Sequence, residues 1–278
     1  MVGRKAHWLG RNRQYRLVSV IAEDGLGALW RAENALLSQP VTARVVNEAL
    51  GSDPEFVARF RTAMDAVSRN LAHPNAAAVF NYNWGDDGPI QFVVMEAIDG
   101  ETLAQQMSRS RGLDPARTLR IAAQVMGAVE ASHGAGIVHG GLSPKTVLLS
   151  AQDDVKVLDF GVAAAAWGRP AQLLAADAYV PPEWVLGAKR RPSWDVYSAA
   201  ILLHHMLTGT PQLPESELGS STNGSKQPAP PTQAEARALL PGLPAEAAQV
   251  WCRGLAGDPR WRPSSSELAS ALRTAIDS

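Results

Sequence analysis

Cysteine is nearly missing from this chain: Cys252 is the only one among 278 residues. An internal disulfide is therefore excluded, and so is a zinc cluster built from cysteines. Long apolar runs are missing too, although 46% of the residues are hydrophobic. No stretch reaches the roughly 18 residues that a membrane-crossing helix requires. The N-terminus lacks the apolar core of a signal peptide. There is no surplus of positive charge either: the formal net charge is -1, whereas a nucleic-acid binder is usually clearly basic. One imbalance is local. Residues 1–16 hold Arg4, Lys5, Arg11, Arg13 and Arg16 with no acid, and Trp8 stands among them. Such an arm reads either as a solubilising leader or as the cytoplasmic flank of a membrane segment, where basic residues concentrate.

What remains is an ordinary globular composition, long enough for one large domain or for two lobes with a cleft. Residues 15–50 read as short strands, YRLVSVI, ALWRAEN and VTARVVN, separated by turn residues. Asp53-Pro54 predicts a helix cap, and Phe56, Phe60 and Met64 recur four apart on one face of a helix to about Leu71. Further strands are expected around 77–83 and 90–96. After Asp99-Gly100 the pattern turns helical, with segments at 103–109, 115–133, 194–208, 234–240, 245–255 and 264–275. Residues 210–232 are rich in proline, serine, glycine and asparagine, with GSSTNGSKQPAPP at the extreme, and read as a flexible insertion. The expected fold class is α+β: a small β-rich lobe over 15–96 and a larger helical lobe over 97–278, preceded by a leader over 1–14.

Three loops could carry chemistry. IAEDGLGALWRA joins the first two strands, and its glycines would let backbone N–H groups approach phosphate oxygens. Asp24 sits in that loop, and a carboxylate facing a polyphosphate is repulsive. Arg44 lies in VTARVV, on the strand face opposite Val41, Ala43 and Val45. An acid on helix 53–71 facing it would fall at Ala63 or Met64, neither of which can pair; Asp65 is the nearest candidate. IVHGGLSPKTVLL contains His139, two glycines and no acid, and VKVLDFG follows it with Asp159. An aspartate there could hold a magnesium ion with a second ligand at Thr146, though a lone hydroxyl is a weak partner. His139 reads as a packed, hydrogen-bonded core histidine rather than a general base, and Lys145 as a solvated lysine.

Taken together in order, these segments resemble a protein kinase domain of the bacterial Ser/Thr type. The landmarks are the glycine loop at 21–29, VTAR, VVMEAIDGETL, HGGLSPKTVL, DFG, VPPE, WDVYSAAILLHHMLTG and DPRWRPSSSELASAL. The resemblance implies a kinase-like bilobal fold. It also places other residues at positions where the family keeps its catalytic groups. Ala22 and Asp24 stand at glycines of the phosphate loop, Arg44 at the phosphate-pairing lysine, and Ala63 or Met64 at its acidic partner. Gly140 stands at the catalytic-loop arginine, Gly141 at the base aspartate, Ser143 at the phosphate-contacting lysine and Thr146 at the metal-binding asparagine.

Other family positions are kept. Asp195 is expected to hold the backbone of the His139 loop, His139 and Phe160 to stack, Gly161 to shape the core, and Glu183 to pair with Arg262. The resemblance thus implies a pseudokinase: no enzyme, no cofactor, no bound metal, with Asp159 retained for the shape of its loop. The segment VAAAAWGRPAQLLAADAY carries no serine or threonine, so phosphorylation cannot order it; Trp167 and the alanines suggest that it packs onto the cleft.

More narrowly, the chain resembles the cytoplasmic kinase-homology domains of mycobacterial MviN-type lipid II flippase proteins. That implies a phosphorylation-dependent docking role on the cytoplasmic side of the cell membrane: a Ser/Thr protein kinase modifies the domain, and a forkhead-associated protein binds the phosphothreonine. Thr274, with Asp277 three residues downstream, is the preferred site, and Thr222 in the flexible stretch is the other candidate. The alternative is an atypical kinase or nucleotide sensor with weak ATP binding through Asp159.

Overall fold

A computed structural model describes residues 8–83, 89–97, 99–166, 177–185, 190–212 and 242–277, with 234, 236, 238 and 240. Most of the expected insertion, including Thr222, lies outside the described residues, as do Trp167 and the first half of the leader.

The N-terminal part is a six-stranded antiparallel sheet in the order β1-β2-β3-β4-β6-β5. Its strands are β1 (Trp8–Leu9), β2 (Tyr15–Asp24), β3 (Gly27–Asn34), β4 (Gln39–Val46), β5 (Val79–Tyr82) and β6 (Phe92–Glu96). Alternation sets the two faces of β4. Val41, Ala43 and Val45 pack with Tyr15, Leu17 and Phe92 in a small core under one face, while Arg44 points to the other. The β2–β3 turn brings backbones together: Gly27 takes φ +136, and a Cβ there would lie 2.0 Å from the Val45 carbonyl oxygen. Only glycine fits.

After a short helix α1 (Glu48–Gly51), helix α2 (Pro54–Asn70) begins where the Asp53 side chain accepts the N–H groups of Glu55 and Phe56. That cap, with Pro54 in the first turn, satisfies otherwise orphaned donors. The spacing of Phe56, Phe60, Met64 and Val67 buries one stripe against the sheet and the main core.

The C-terminal part is mainly helical, with α3 (Leu103–Met107), α4 (Pro115–Gly134), α5 (Val162–Ala165), α6 (Pro182–Val185), α7 (Pro192–Thr208), α8 (Ala245–Gly254) and α9 (Ser265–Asp277). A second sheet, β7 (Gly100–Thr102), β8 (Val147–Ser150) and β9 (Val155–Val157), lies in the order β7-β8-β9. Helix α7 is apolar almost all round, with Trp194, Ile201, Leu203 and Met206 buried, as befits a central helix. One continuous core runs from Leu29 and Met64 through Phe160 to Trp251 and Leu272, so sheet and helices share their packing.

Candidate functional site

The cleft between the sheet and the helical part is closed by an ion triad. Arg44 is wholly buried. Its Nε donates to Asp159 Oδ2 at 3.0 Å, and Nη2 pairs with the same oxygen. Nη1 donates to Asp24 Oδ1 at 3.0 Å and to the Gly27 carbonyl at 3.4 Å. Burial pushes against the guanidinium's charge, but the carboxylates of Asp159 and Asp24 outweigh it and raise the pKa of Arg44 above its ordinary value. Asp24 also accepts the N–H of Leu26 at 2.9 Å, which turns it inward rather than toward solvent. Arg44 thus ties the β2–β3 hairpin to the loop after β9. The acid sought on α2 plays no part: Asp65 bonds Arg69 at 2.8 Å, Met64 lies in the core, and Ala63 packs beside Gly161.

Asp159 takes φ 62, a left-handed conformation that aspartate tolerates better than most residues. The expectation that its loop is kept for shape alone is incomplete, because Asp159 Oδ2 holds Arg44. Its other oxygen, Oδ1, is buried without a hydrogen-bond partner.

Around the 137–149 loop the backbone is held by Asp195. Its Oδ1 accepts Gly140 N at 2.7 Å, and its Oδ2 accepts His139 N at 2.8 Å and lies 2.9 Å from His133 Nε2. The other nitrogen of His133 lies 2.9 Å from Ser265 Oγ, so this ring links α4, α7 and α9. Nothing in the sequence pointed to His133; it is merely a histidine in the last turn of a helix. The His139 and Phe160 rings sit 4.8 Å apart, tilted by 58°. His139 Nδ1 accepts Gly141 N at 3.2 Å, and burial lowers its pKa despite nearby Asp195 and Asp159. It is a packed, acceptor histidine.

The two glycines face α5 at very short range. Gly140 takes φ +75, and a Cβ on it would stand 2.8 Å from the Ala164 Cβ; a Cβ on Gly141 would stand 2.5 Å from the Ala163 Cβ. All four residues of α5 are buried. The alanine run and the Gly-Gly pair are therefore one packing unit, a signal visible in the sequence but not connected there.

Thr146 Oγ1 donates to the Ser143 carbonyl and accepts Ser143 N, at 3.0 and 3.1 Å, which closes a small turn and uses up the hydroxyl. Lys145 is not simply solvated; its Nζ donates to the Glu23 carbonyl at 3.2 Å and bridges the loop to the β2–β3 hairpin. Ala22 pairs with Leu29 and packs against the core. A pocket beside this bridge is lined by Asp24, Gly141, Ser143, Lys145, Tyr179 and Trp184. Farther out, Glu183 meets Arg262 through two parallel bonds of 2.6 and 2.8 Å, while Arg262 also donates to Ser193 and Ala256 carbonyls and lies over the Tyr197 ring. That fork geometry belongs to arginine rather than lysine.

The family model of the protein kinase domain matches residues 62–272. The chain belongs to the protein kinase family. Among curated relatives, it is 33% identical over 279 residues to serine/threonine-protein kinase pkn3 of Myxococcus xanthus, covering 95% of this chain and 50% of that protein. It is 32% identical over 268 residues to serine/threonine-protein kinase PknL of Mycobacterium tuberculosis, covering 95% and 65%. The chain thus spans half to two-thirds of the length of these relatives. Among solved structures, it is similar to a double mutant of the Mycobacterium tuberculosis PknI kinase domain, with a TM-score of 0.72 at 26% identity over 95% of this chain and 96% of that one. The α+β architecture is the protein kinase fold.

These relatives correct one expectation. The chain was expected not to be an enzyme, yet the proteins that align along 95% of it are named as Ser/Thr protein kinases.

The family's chemistry uses a magnesium nucleotide. As the side chains stand, the donor set does not fit one: one carboxylate oxygen of Asp159 is taken by Arg44, the Thr146 hydroxyl is spent on Ser143, and Asp24 faces the cleft from the glycine loop. Among the described residues, no group of three or more His, Cys, Asp or Glu side chains is arranged to hold a metal ion.

Proposed function

We propose that this kinase-family domain is a phosphorylation-dependent docking module. A Ser/Thr protein kinase modifies Thr274, and a forkhead-associated protein binds the resulting phosphothreonine at the cytoplasmic face of the cell membrane. The observation that carries this reading is the placement of Thr274: it is exposed in the last turns of α9, with Asp277 three residues on. Phosphate adds about −1.5 to −2 charge with acceptor oxygens for a basic reader. In this reading the docked complex regulates peptidoglycan precursor export and cell-wall synthesis, the role that the sequence resemblance to MviN-type flippase proteins implies.

The test is a pull-down by a forkhead-associated domain, with the chain phosphorylated or not. Phosphorylation is expected to be required, and Thr274→Ala to abolish capture while Thr222→Ala leaves it intact. Capture of the unphosphorylated chain, or of phosphorylated Thr274→Ala, would refute the reading.

One atom favours a second reading. Asp159 Oδ1 is buried without a partner, and the named kinases among the relatives make a kinase or nucleotide sensor acting through Asp159 the alternative. A thermal-shift titration with ATP and Mg²⁺ separates the two, since a ligand of the folded state must raise its stability. A metal-dependent rise that Asp159→Ala removes supports the second reading, and no rise at millimolar nucleotide removes it.

A further inference from the structure

The docking role leaves a pocket of the cleft unused. It lies between the 137–149 loop and the segment 177–185, and holds about 520 Å³ of empty space, part of it open to solvent. Most of its wall is apolar, with Pro181, Trp184 and Trp194 on the side of the helical part. The two indoles sit with ring centroids 4.9 Å apart, tilted by 57°. Both are buried, so close packing fixes this wall.

Asp24, Ser143 and Lys145 interrupt that lining, and each keeps bonding capacity to spare. Asp24 gives Oδ1 to Arg44 and to Leu26 N, while its Oδ2 has no partner among the described residues. Ser143 is only 4% exposed, yet Thr146 bonds its backbone alone, and among the described residues its hydroxyl has no partner. Lys145 spends one proton on the Glu23 carbonyl and keeps others to donate. No ion pair joins it to Asp24 among the described residues. The charge beneath is also unbalanced. Arg44 alone faces two carboxylates, Asp24 and Asp159, so the triad keeps a net negative charge in a shielded place. A shielded charge is costly without a counter-ion.

We infer that this pocket binds a free α-amino acid with an apolar side chain. Its ammonium meets Asp24, its carboxylate meets Lys145 and Ser143, and its side chain lies against Pro181 and the two tryptophans. Charge selects this class. A phosphate or a plain carboxylic acid would face the Asp24 carboxylate, and a plain amine would face Lys145, whereas a zwitterion satisfies both. The surroundings agree with it, since small-molecule sites of about 300–1,000 Å³ are mostly apolar with a few placed polar groups.

The experiment is isothermal titration calorimetry of the full chain with L-leucine and L-phenylalanine. Glycine, which lacks the side chain, and the decarboxylated and deaminated analogues of both amino acids are titrated beside them. Saturable binding of leucine or phenylalanine is expected, with each analogue weaker by about ten-fold or more. Lys145→Met is expected to weaken the amino acid by about ten-fold while leaving the decarboxylated analogue unchanged, and Ser143→Ala to weaken the amino acid less. A cooperative thermal transition verifies that both variants fold. Amino acids that fail to bind at millimolar concentration, analogues that bind as tightly as their parents, or binding untouched by Lys145→Met would each overturn the assignment.

Discussion

Replacing Arg44 by methionine keeps most of the side-chain volume and removes the charge between Asp24 and Asp159. Both carboxylates are almost fully shielded, with side-chain exposures of 7% and 1%. Asp24 keeps the Leu26 N–H, but Asp159 already has one oxygen without a partner and would lose the bonds to the other. Breaking a buried pair by removing one partner costs roughly 3–5 kcal/mol. For a chain of this size that corresponds to a fall in melting temperature on the order of 10 °C. Adding Asp24→Asn and Asp159→Asn should recover most of the loss at neutral pH, since asparagine also tolerates the left-handed backbone at 159. Thermal unfolding of the three proteins is the assay. An Arg44→Met variant as stable as the parent, or a triple variant no more stable than Arg44→Met, would refute the reasoning.

Gly141→Asp should destabilise the domain by about 1–3 kcal/mol, because its Cβ would stand 2.5 Å from the Ala163 Cβ; Ala163→Gly should restore part of the loss in chemical denaturation. His139, whose pKa burial lowers, should make the domain less stable in mild acid. A depressed folded value means that its contribution is whole above about pH 6.5, the unfolded value, and is lost as pH falls toward the folded one. Replacing it by phenylalanine should flatten that part of a stability-versus-pH curve.

How much was legible beforehand differs from element to element. Strands β2 to β4 were readable from turn residues and alternation, and α2 from Asp53-Pro54 and the stripe at Phe56, Phe60 and Met64, because these signals lie within a few residues of one another. The Glu183–Arg262 pair came from the family resemblance, not from spacing. The partners of Arg44 were not legible: a local reading looked for an acid on the next helix, whereas Asp24 and Asp159 stand 20 and 115 residues away.

Sequence alone settled which groups the cleft contains: an arginine on β4, an aspartate in each flanking loop, and glycines at 140 and 141. Local propensity and capping also settled most of the strands and helices. Tertiary structure decided what those groups do, turning Asp24 inward onto Arg44, spending the Thr146 hydroxyl on its own turn, and pressing the alanines of α5 against the glycine pair. The physical reason is range. Backbone preference acts over a few residues, while the energy of a buried charge or a close backbone contact depends on whatever the fold brings to within a few ångströms of it.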